Sequence, residues 1–203
     1  MFRIIKKVVG SMATNCYIVV YDKKCLIFDP GDQGDYILEE IIRENLKICA
    51  IFATHGHSDH IGAVGEIQLY QDCAFFVNFK DNFLIRRVKN TPNYYIKNNP
   101  IFLPIKKIEP LSESQHSIED FHFEVIETPG HTPGSVSYYF KNEKIILTGD
   151  TLFSYGVDNA SRPYSSKSDL LKSLLKIKAL PDDITVLPGH ENEDMLSNLK
   201  KFF

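Results

Sequence analysis

The sequence predicts an α+β fold, in which short strands and amphipathic helices occupy different stretches of one chain. Short runs rich in Val, Ile, Phe and Tyr indicate strands, and longer stretches with apolar residues at helical spacing indicate helices. The length of 203 residues fits one domain, residues 1–203, large enough to bury about 70% of the unfolded chain's surface.

The first half of the chain contains the clearest strand signals. The predicted elements are strands at 2–9, 15–21 and 24–29, a helix at 35–46, a strand at 48–53, a helix at 61–70, a strand at 75–77 and a helix at 79–88. The third strand ends at the chain-breaking Asp29-Pro30-Gly31. The pattern weakens after residue 74, and residues 90–110, with four prolines, are predicted to be irregular.

Regular structure is predicted again after residue 120. The predicted elements are strands at 121–127, 135–140 and 144–148, a helix at 168–180, a strand at 184–187 and a helix at 191–201. Ser166 and Asp169 have the spacing of a capping box at the start of the helix 168–180. The helix 191–201 would carry acidic residues first and lysines last, the order that its macrodipole favours.

Composition and charge limit the kinds of binding partner and the cellular compartment that we expect for this protein. A net charge of -3 gives no electrostatic reason to expect nucleic acid or a membrane surface. The four cysteines form no C-x-x-C pair, so they are interpreted as free thiols. Arg3, Lys6 and Lys7 interrupt the apolar N-terminal residues, which excludes a signal-peptide core, and no apolar run approaches a membrane span. We therefore expect a cytoplasmic protein, with its oligomeric state left open.

The most informative stretch is Thr54-His55-Gly56-His57-Ser58-Asp59-His60, directly after the predicted strand 48–53. Alternating histidines at a strand end send both rings to one side, because side chains in extended backbone alternate with period two. Asp59 and His60 can face a neighbouring point as the chain turns into a helix. Imidazole and carboxylate together are ligands for zinc, iron or manganese, so this stretch predicts a metal site.

Three further strands end in a tight turn that presents a histidine or an aspartate. These residues are His131 after Thr128-Pro129-Gly130, Asp150 after Thr148-Gly149, and His190 after Pro188-Gly189. Glycine before the ligand lets the backbone turn sharply and approach an ion closely. Because strand ends are rigid mounts, four of them together predict a preorganised metal centre.

Three other polar residues are not assigned to this centre. His116 and His122 lie among polar and acidic residues and are interpreted as structural or solvated. Asp29 is either a local hydrogen-bond acceptor in its turn or a second-sphere partner that orients a ligand histidine.

The succession T-H-G-H-S-D-H, T-P-G-H-T-P-G-S, T-G-D-T-L-F and L-P-G-H resembles the metallo-β-lactamase superfamily. Within it, the motifs are most similar to the glyoxalase II (hydroxyacylglutathione hydrolase) branch. The resemblance implies a four-layer αββα sandwich of two mixed sheets with helices outside and metals at one edge. It also implies a first metal on His55, His57 and His131, a second on Asp59, His60 and His190, and Asp150 bridging both.

The function implied by this resemblance is hydrolysis of small thioesters by two zinc ions per chain, with iron or manganese as alternatives. Two metals about 3.5 Å apart can share a water and lower its pKa toward about 7, so that hydroxide attacks the acyl carbonyl. Asp59 is the predicted catalytic residue, which would orient the attacking water and accept its proton. The substrate-binding residues cannot be assigned from the sequence.

Three departures from the branch concern glutathione recognition. Only 13 residues follow His190, so no C-terminal helical extension is expected. Glu191 and Asn192 replace the familiar glycine and proline after that histidine, and Arg162 comes later than the motif after Asp150 suggests.

Several alternative functions stay open. One is a persulfide dioxygenase-like oxidoreductase with a single iron on His57 or His55, His131 and Asp150. Another is a phosphodiesterase, which the lack of a basic balance disfavours. A β-lactamase and a metal-free binding module are the remaining alternatives.

Overall fold

Two six-stranded sheets form the centre of the molecule. The computed structural model describes residues 1–88 and 102–202. The first sheet contains β1 Phe2–Val9, β2 Thr14–Tyr21, β3 Lys24–Phe28, β4 Lys47–Phe52, β5 Ala74–Val77 and β6 Ile108–Pro110. The second contains β7 Ser114–Ile118, β8 Phe121–Glu127, β9 Val136–Phe140, β10 Ile145–Gly149, β13 Thr185–Pro188 and β14 Asp194–Met195. A ribbon of β11 Leu152–Phe153 and β12 Gly156–Val157 lies between β10 and β13 in the chain.

Short and medium helices complete the described structure. They are α1 Gly34–Arg43, α2 Ser58–Ile61, α3 Val64–Tyr70, α4 Asn82–Ile85, α5 Lys167–Lys178 and α6 Leu196–Leu199, with 3-10 turns at Phe79–Asp81 and Lys200–Phe202. Ser166 caps α5 as predicted, since its Oγ accepts a hydrogen bond from the Asp169 amide at 3.2 Å. In the part of the chain that the structure describes, no helix has the length and apolar character needed to cross a bilayer.

Both sheets are mixed, as predicted. In the first sheet β1, β2 and β3 are antiparallel, whereas β3, β4, β5 and β6 are parallel. In the second sheet β10 and β13 are parallel and the other neighbours are antiparallel. Because parallel strands end at the same edge of a sheet, β3 and β4 deliver their last residues side by side, and so do β10 and β13.

Three hydrophobic cores separate four layers, and this confirms the αββα sandwich. Alternation along β2 sends Ile18 toward α1 and α3, whereas Tyr17 and Val19 face the second sheet. Alternation along β9 likewise sends Tyr138 into the core between the sheets and Tyr139 toward α5 and α6. The order of layers is therefore helices, first sheet, second sheet, helices.

The predicted helices 61–70 and 191–201 were both wrong in extent. The predicted helix 61–70 begins earlier and is broken, because the Ala63 amide donates to the Pro30 carbonyl at 3.0 Å rather than to a helical carbonyl. Within the predicted helix 191–201, Glu191 has a left-handed φ of 68° and β14 joins the edge of the second sheet. Only the residues from Leu196 onward are helical, so the charge order of 191–201 is not that of one helix.

Among the described strands, five were not predicted, namely β6, β7, β11, β12 and β14, and one predicted region is only partly described. The edge strand β7 reads Ser-Gln-His-Ser-Ile, without the apolar content that marks a buried strand. The strand β6 lies inside the stretch 90–110 that was predicted to be irregular, and residues 90–101 of that stretch lie outside the described residues. The predicted helix 79–88 is a 3-10 turn followed by the short α4.

Candidate metal centre

The seven predicted residues meet where the two sheets present the carboxyl ends of their strands. Within residues 1–88 and 102–202, side chains able to bind a metal converge in three overlapping groups. These groups are His55, His57 and His131; His55, His60 and Asp150; and Asp59, His60 and His190. In each group the candidate ligand atoms all lie within 4.8 Å of one another.

Hydrogen bonds between the sheets hold the strand ends in place. The Asn15 amide donates to the Gly189 carbonyl at 2.7 Å, and the Tyr17 hydroxyl donates to the Pro188 carbonyl at 2.8 Å. On the other side, the Val136 amide donates to the Thr54 carbonyl at 2.8 Å. The ligand-bearing turns are thus fixed to the opposite sheet as well as to their own strands.

The first group consists of three imidazoles. His57 Nδ1 lies 2.8 Å from His55 Nε2 and 3.0 Å from His131 Nε2, so three ring nitrogens face one point. His55 and His131 are buried, and His57 is half-buried. Three imidazoles that converge in this way are a common ligand set for a divalent transition metal.

The second group combines imidazole with carboxylate. Asp59 Oδ2 lies 3.6 Å from His60 Nε2 and 3.6 Å from His190 Nε2. Bonds of about 2.0–2.2 Å to a tetrahedral ion place neighbouring ligand atoms about 3.4 Å apart. The spacing in the second group is therefore close to that of ligands around one ion.

Asp150 lies between the two groups. Its Oδ1 is 3.4 Å from His60 Nε2 and 3.6 Å from His190 Nε2, whereas its Oδ2 is 3.4 Å from His131 Nε2. Oδ1 of Asp150 and Nε2 of His60 are buried without a hydrogen-bond partner among the described residues. Buried polar atoms normally have partners, so this pair fits a bound ion. The cluster of five histidines and two aspartates fits a dinuclear metal site.

Each of the five histidines has an oxygen close to its second ring nitrogen. These nitrogen–oxygen pairs are His55 Nδ1 with Thr54 Oγ1 at 3.1 Å, His57 Nε2 with Tyr164 Oη at 2.6 Å, His60 Nδ1 with Asp29 Oδ2 at 3.1 Å, His131 Nδ1 with Asp158 Oδ2 at 3.1 Å and His190 Nδ1 with the Met12 carbonyl at 3.1 Å. The pairs of His55, His57 and His190 are hydrogen bonds, and such partners fix the orientation of a ligand ring and its tautomer. The pairs of His60 and His131 are contacts at ion-pair distance.

Asp29 combines the two roles between which the sequence could not choose. Its Oδ1 accepts a hydrogen bond from the Thr54 amide at 2.7 Å, and its Oδ2 accepts one from the Thr54 hydroxyl at 2.8 Å. Because Oδ2 also faces His60, the carboxylate both stabilises the local turn and approaches a ring of the second group.

Two partners of the histidines were not recognised in the sequence. Asp158 and Tyr164 both follow the T-G-D-T-L-F motif in an ordinary polar stretch. Asp158 comes directly after β12, but that strand has only two residues and no apolar run that would mark it in the sequence. Arg162 lies in the same segment, and its Nη1 is 3.4 Å from His131 Nδ1. His116 and His122 belong to none of the three groups and lie close to serine hydroxyls, as a structural interpretation expects.

The first group is adapted to neutral imidazole. Burial, and after it the neighbouring His131, lower the pKa of His57 to about 3. Burial also holds the pKa of His55 well below its ordinary value, with His60 and His57 acting in the same direction. Both rings are therefore neutral at pH 7 and have a lone pair for a metal.

The second group has a different charge balance. Burial disfavours the charged form of His60, but Asp150, Asp29 and Asp59 raise its pKa to about 9. Burial likewise opposes the charge of His190, whose pKa Asp150 and Asp59 raise to about 10. In the metal-free protein these carboxylates hold protons on both rings, so an ion that binds there displaces protons.

Comparison with known proteins agrees with the fold and the motifs. A family model described as the Metallo-beta-lactamase superfamily matches residues 9–190. The chain belongs to this superfamily. The matched region runs from the end of β1 to the last of the predicted histidines, and so includes the whole cluster.

Three similar proteins illustrate the range of the superfamily around this chain. The hydroxyacylglutathione hydrolase GloC of Haemophilus influenzae is 28% identical over 197 residues, which is 95% of this chain and 92% of that protein. The crystal structure of the B3 metallo-beta-lactamase BLEG-1 is 32% identical with a TM-score of 0.86, covering 98% of this chain and 95% of the other. The structure of TTHA1623 in a di-iron-bound form is 27% identical with a TM-score of 0.86 and covers 96% of both chains.

Membership of the superfamily and the His/Asp cluster together support a metal-dependent hydrolase.

Proposed function

We propose that this chain hydrolyses small thioesters with two metal ions, in the manner of a hydroxyacylglutathione hydrolase. The observation that carries the proposal is the position of Asp150. One of its carboxylate oxygens faces His60 of the second group, and the other faces His131 of the first. A carboxylate in this position suits two ions that act on one substrate. The similarity to GloC supports a thioester as the substrate class.

In this proposal the seven predicted residues divide between two ions. His55, His57 and His131 would hold the first, Asp59, His60 and His190 would hold the second, and Asp150 would contact both. Two bound divalent ions supply Lewis acidity, which lowers the pKa of a water and polarises an acyl carbonyl.

Asp59 is the residue that we assign to the attacking water. Its side chain is 21% exposed, whereas that of the adjacent His60 is fully buried. The Thr14 hydroxyl donates to Asp59 Oδ2 at 3.3 Å, which restricts the rotation of the carboxylate. His60 and His190 hold the pKa of Asp59 below its usual range against the effect of burial. Asp59 therefore stays ionised and can accept a hydrogen bond that orients the attacking water, and in this proposal it also receives the proton that this water loses.

Thioester chemistry suits the limited set of acids at this centre. Water adds its oxygen to the acyl carbon, the carbon–sulfur bond breaks, and the sulfur leaves with the bonding electrons. A thiol has a pKa near about 8.5, so it departs as thiolate without a strong general acid. The water protons pass through Asp59 to solvent.

Zinc is the metal that we propose, with iron or manganese as alternatives. Five histidines and two aspartates suit either zinc or iron, and the di-iron form of TTHA1623 supports the second possibility. The negative net charge supports a small-molecule substrate rather than nucleic acid or a membrane surface. The four free cysteines suit the reducing cytoplasm proposed for this chain.

The test is hydrolysis of S-D-lactoylglutathione by protein loaded with zinc, with the metal content measured on the same sample. We expect two zinc ions per chain, and we expect Asp59→Asn to lower kcat by about 10²–10⁴. A His116→Ala variant is the control, because His116 lies outside the cluster. Activity that survives chelation or His55→Ala would contradict the proposal.

The same preparation separates the alternative functions. One iron per chain with oxygen uptake on glutathione persulfide would favour the dioxygenase. Hydrolysis of a chromogenic β-lactam without thioester hydrolysis would favour a function like that in the name of BLEG-1.

A further inference from the structure

A buried carboxylate outside the seven predicted residues lies against the first group. Asp81 is the last residue of the 3-10 turn after β5, and it is fully buried. It forms no ion pair with any residue that the structure describes. Burying a carboxylate without a cation is unfavourable unless hydrogen bonds compensate it, so its contacts identify what it stabilises.

Asp81 accepts three hydrogen bonds, and all three come from the loops that carry the first group. Its Oδ2 accepts from the Gly56 amide at 2.8 Å and from the Thr132 hydroxyl at 2.6 Å. Its Oδ1 accepts from the Gly134 amide at 2.7 Å. Gly56 lies between His55 and His57, and Thr132 directly follows His131.

The two loops belong to different sheets. The loop with Gly56 follows β4 of the first sheet, whereas the loop with Thr132 and Gly134 joins β8 to β9 of the second. One side chain therefore bonds to the backbone on both sides of the first group. Because an ion needs its ligands within tenths of an ångström, a link of this kind sets how well the three rings converge.

The glycines at these positions allow the carboxylate to approach. A Cβ atom on Gly56 would lie 2.9 Å from the Asp81 Cβ, and one on Gly134 would lie 2.6 Å from the Asp81 Cγ. Neither glycine has a positive φ, so close approach rather than backbone conformation accounts for both. The absence of a side chain at Gly56 and at Gly134 therefore makes room for the Asp81 carboxylate.

We propose that Asp81 is a positioning residue for the first ion, which holds the His55–His57 loop and the His131 loop at the separation that metal binding requires. The proposal rests on the metal-binding part of the proposed function and not on the thioester. Asp29 is the natural comparison, since its carboxylate contacts both groups: it accepts hydrogen bonds from Thr54, which adjoins His55, and it approaches His60.

The experiment measures metal affinity at one group at a time. A His190→Ala background removes a ligand of the second group, and a His131→Ala background removes a ligand of the first. Zinc affinity is measured in each by competition with a chromophoric chelator. Asp81→Asn keeps the volume of the side chain but turns an N–H₂ group toward one of the three donors.

We expect Asp81→Asn to weaken zinc binding 10- to 100-fold in the His190→Ala background and less than twofold in the His131→Ala background. The absorption spectrum of bound cobalt should change in the first background and stay unchanged in the second. Asp29→Asn is the comparison variant and should weaken zinc binding in both backgrounds, because Asp29 contacts both Thr54, which adjoins His55, and His60. The proposal would be overturned if Asp81→Asn weakened zinc binding equally in both backgrounds, or if it left the affinity unchanged in the His190→Ala background.

A milder variant decides the question if Asp81→Asn does not fold. Thr132→Val removes one donor to Asp81 but leaves the carboxylate and both backbone donors in place. We expect zinc affinity to fall about threefold in the His190→Ala background alone, with circular dichroism unchanged. An unchanged affinity in this folded variant would contradict the proposal, and neither assay depends on thioester hydrolysis.

Discussion

The histidine rings of the first group differ in which nitrogen faces the cluster. His57 directs Nδ1 inward, whereas His131 directs Nε2 inward. If the inward nitrogen binds a metal, the outward nitrogen carries the proton and donates. His57 Nε2 therefore donates to Tyr164 Oη at 2.6 Å, and the edge of the Tyr164 ring packs against Phe83 with centroids 5.4 Å apart. A phenol fixed by an aromatic neighbour is a rigid acceptor for that proton.

Tyr164→Phe tests this contact without changing the ring. The Phe83 packing is kept, but the proton on His57 Nε2 loses its acceptor, so we expect zinc affinity of the first group to fall about tenfold. Competition with a chelator in the His190→Ala background measures it. Tyr155→Phe is the matched control, because Tyr155 is 59% exposed and stacks on Phe153. Equal effects of the two variants would show that the Tyr164 hydroxyl has no specific role.

The residues that surround the ligands mark the limit of sequence-based prediction. Histidines and aspartates that follow glycine turns can be predicted as metal ligands from the sequence, because few functions other than metal binding require these residues at such turns. Tyr164 lies 107 positions from His57, and neither its residue type nor its neighbours indicate that the two meet. Asp81 is equally ordinary in sequence, since its three partners come from two other loops. Only tertiary structure reveals such pairs.

At the scale of elements, the strand-end turns bring backbone close to the ligands. Gly149 has a φ of 49°, a left-handed backbone conformation that residues other than glycine rarely adopt. The turn at Gly149 presents Asp150. Gly189 has another reason to be glycine. A Cβ atom there would press on Asp150 Oδ1 and lie 2.8 Å from His60 Cε1.

Gly189→Ala is therefore expected to displace His60 of the second group and Asp150 between the groups, while leaving the three histidines of the first group in place. Metal analysis after dialysis should find one ion per chain instead of two. Gly156→Ala is the comparison, because its φ of 147° strains the backbone but no atom lies within 4 Å of the added Cβ. That variant should lose stability and keep both ions. Retention of two ions by Gly189→Ala would show that the turn adapts without moving its neighbours.

Prediction of the elements succeeded where the sequence pattern reflected burial. The strand 121–127 was predicted with the bounds that β8 has, because its alternating residues pack between two layers. The helix 191–201 was wrong because its charges were arranged as in a helix, whereas tertiary contacts place β14 at the edge of the second sheet. At the edge of a sheet, tertiary packing rather than the local sequence pattern determines the secondary structure.

At the scale of the whole molecule, the cluster joins two halves of the chain. The first sheet uses residues 2–110 and the second uses residues 114–195. The first half supplies His55, His57, Asp59 and His60, and the second supplies His131, Asp150 and His190. The continuous apolar run of β2 is typical of a strand buried on both faces, but it does not show which layer covers each face. The four-layer order was therefore predicted through the resemblance to the superfamily alone.

Because both halves supply ligands, metal should stabilise the packing of one sheet against the other. An ion that binds only the folded chain stabilises it by about 2.7 kcal/mol at a free concentration of 100 Kd, or roughly 5–11 °C in Tm for a chain of this size. Thermal unfolding with and without zinc, in the presence of a metal buffer, measures the shift.

The variants that accompany this measurement identify its origin. His55→Ala should abolish most of the shift, since His55 belongs to two of the three groups. The double variant His116→Ala and His122→Ala should keep the whole shift, because both residues lie outside the cluster, and this excludes adventitious zinc binding to surface histidines. A shift of equal size in the His55→Ala variant would place the stabilising ion outside the cluster, and the two halves would then be held together by the core between the sheets without help from metal.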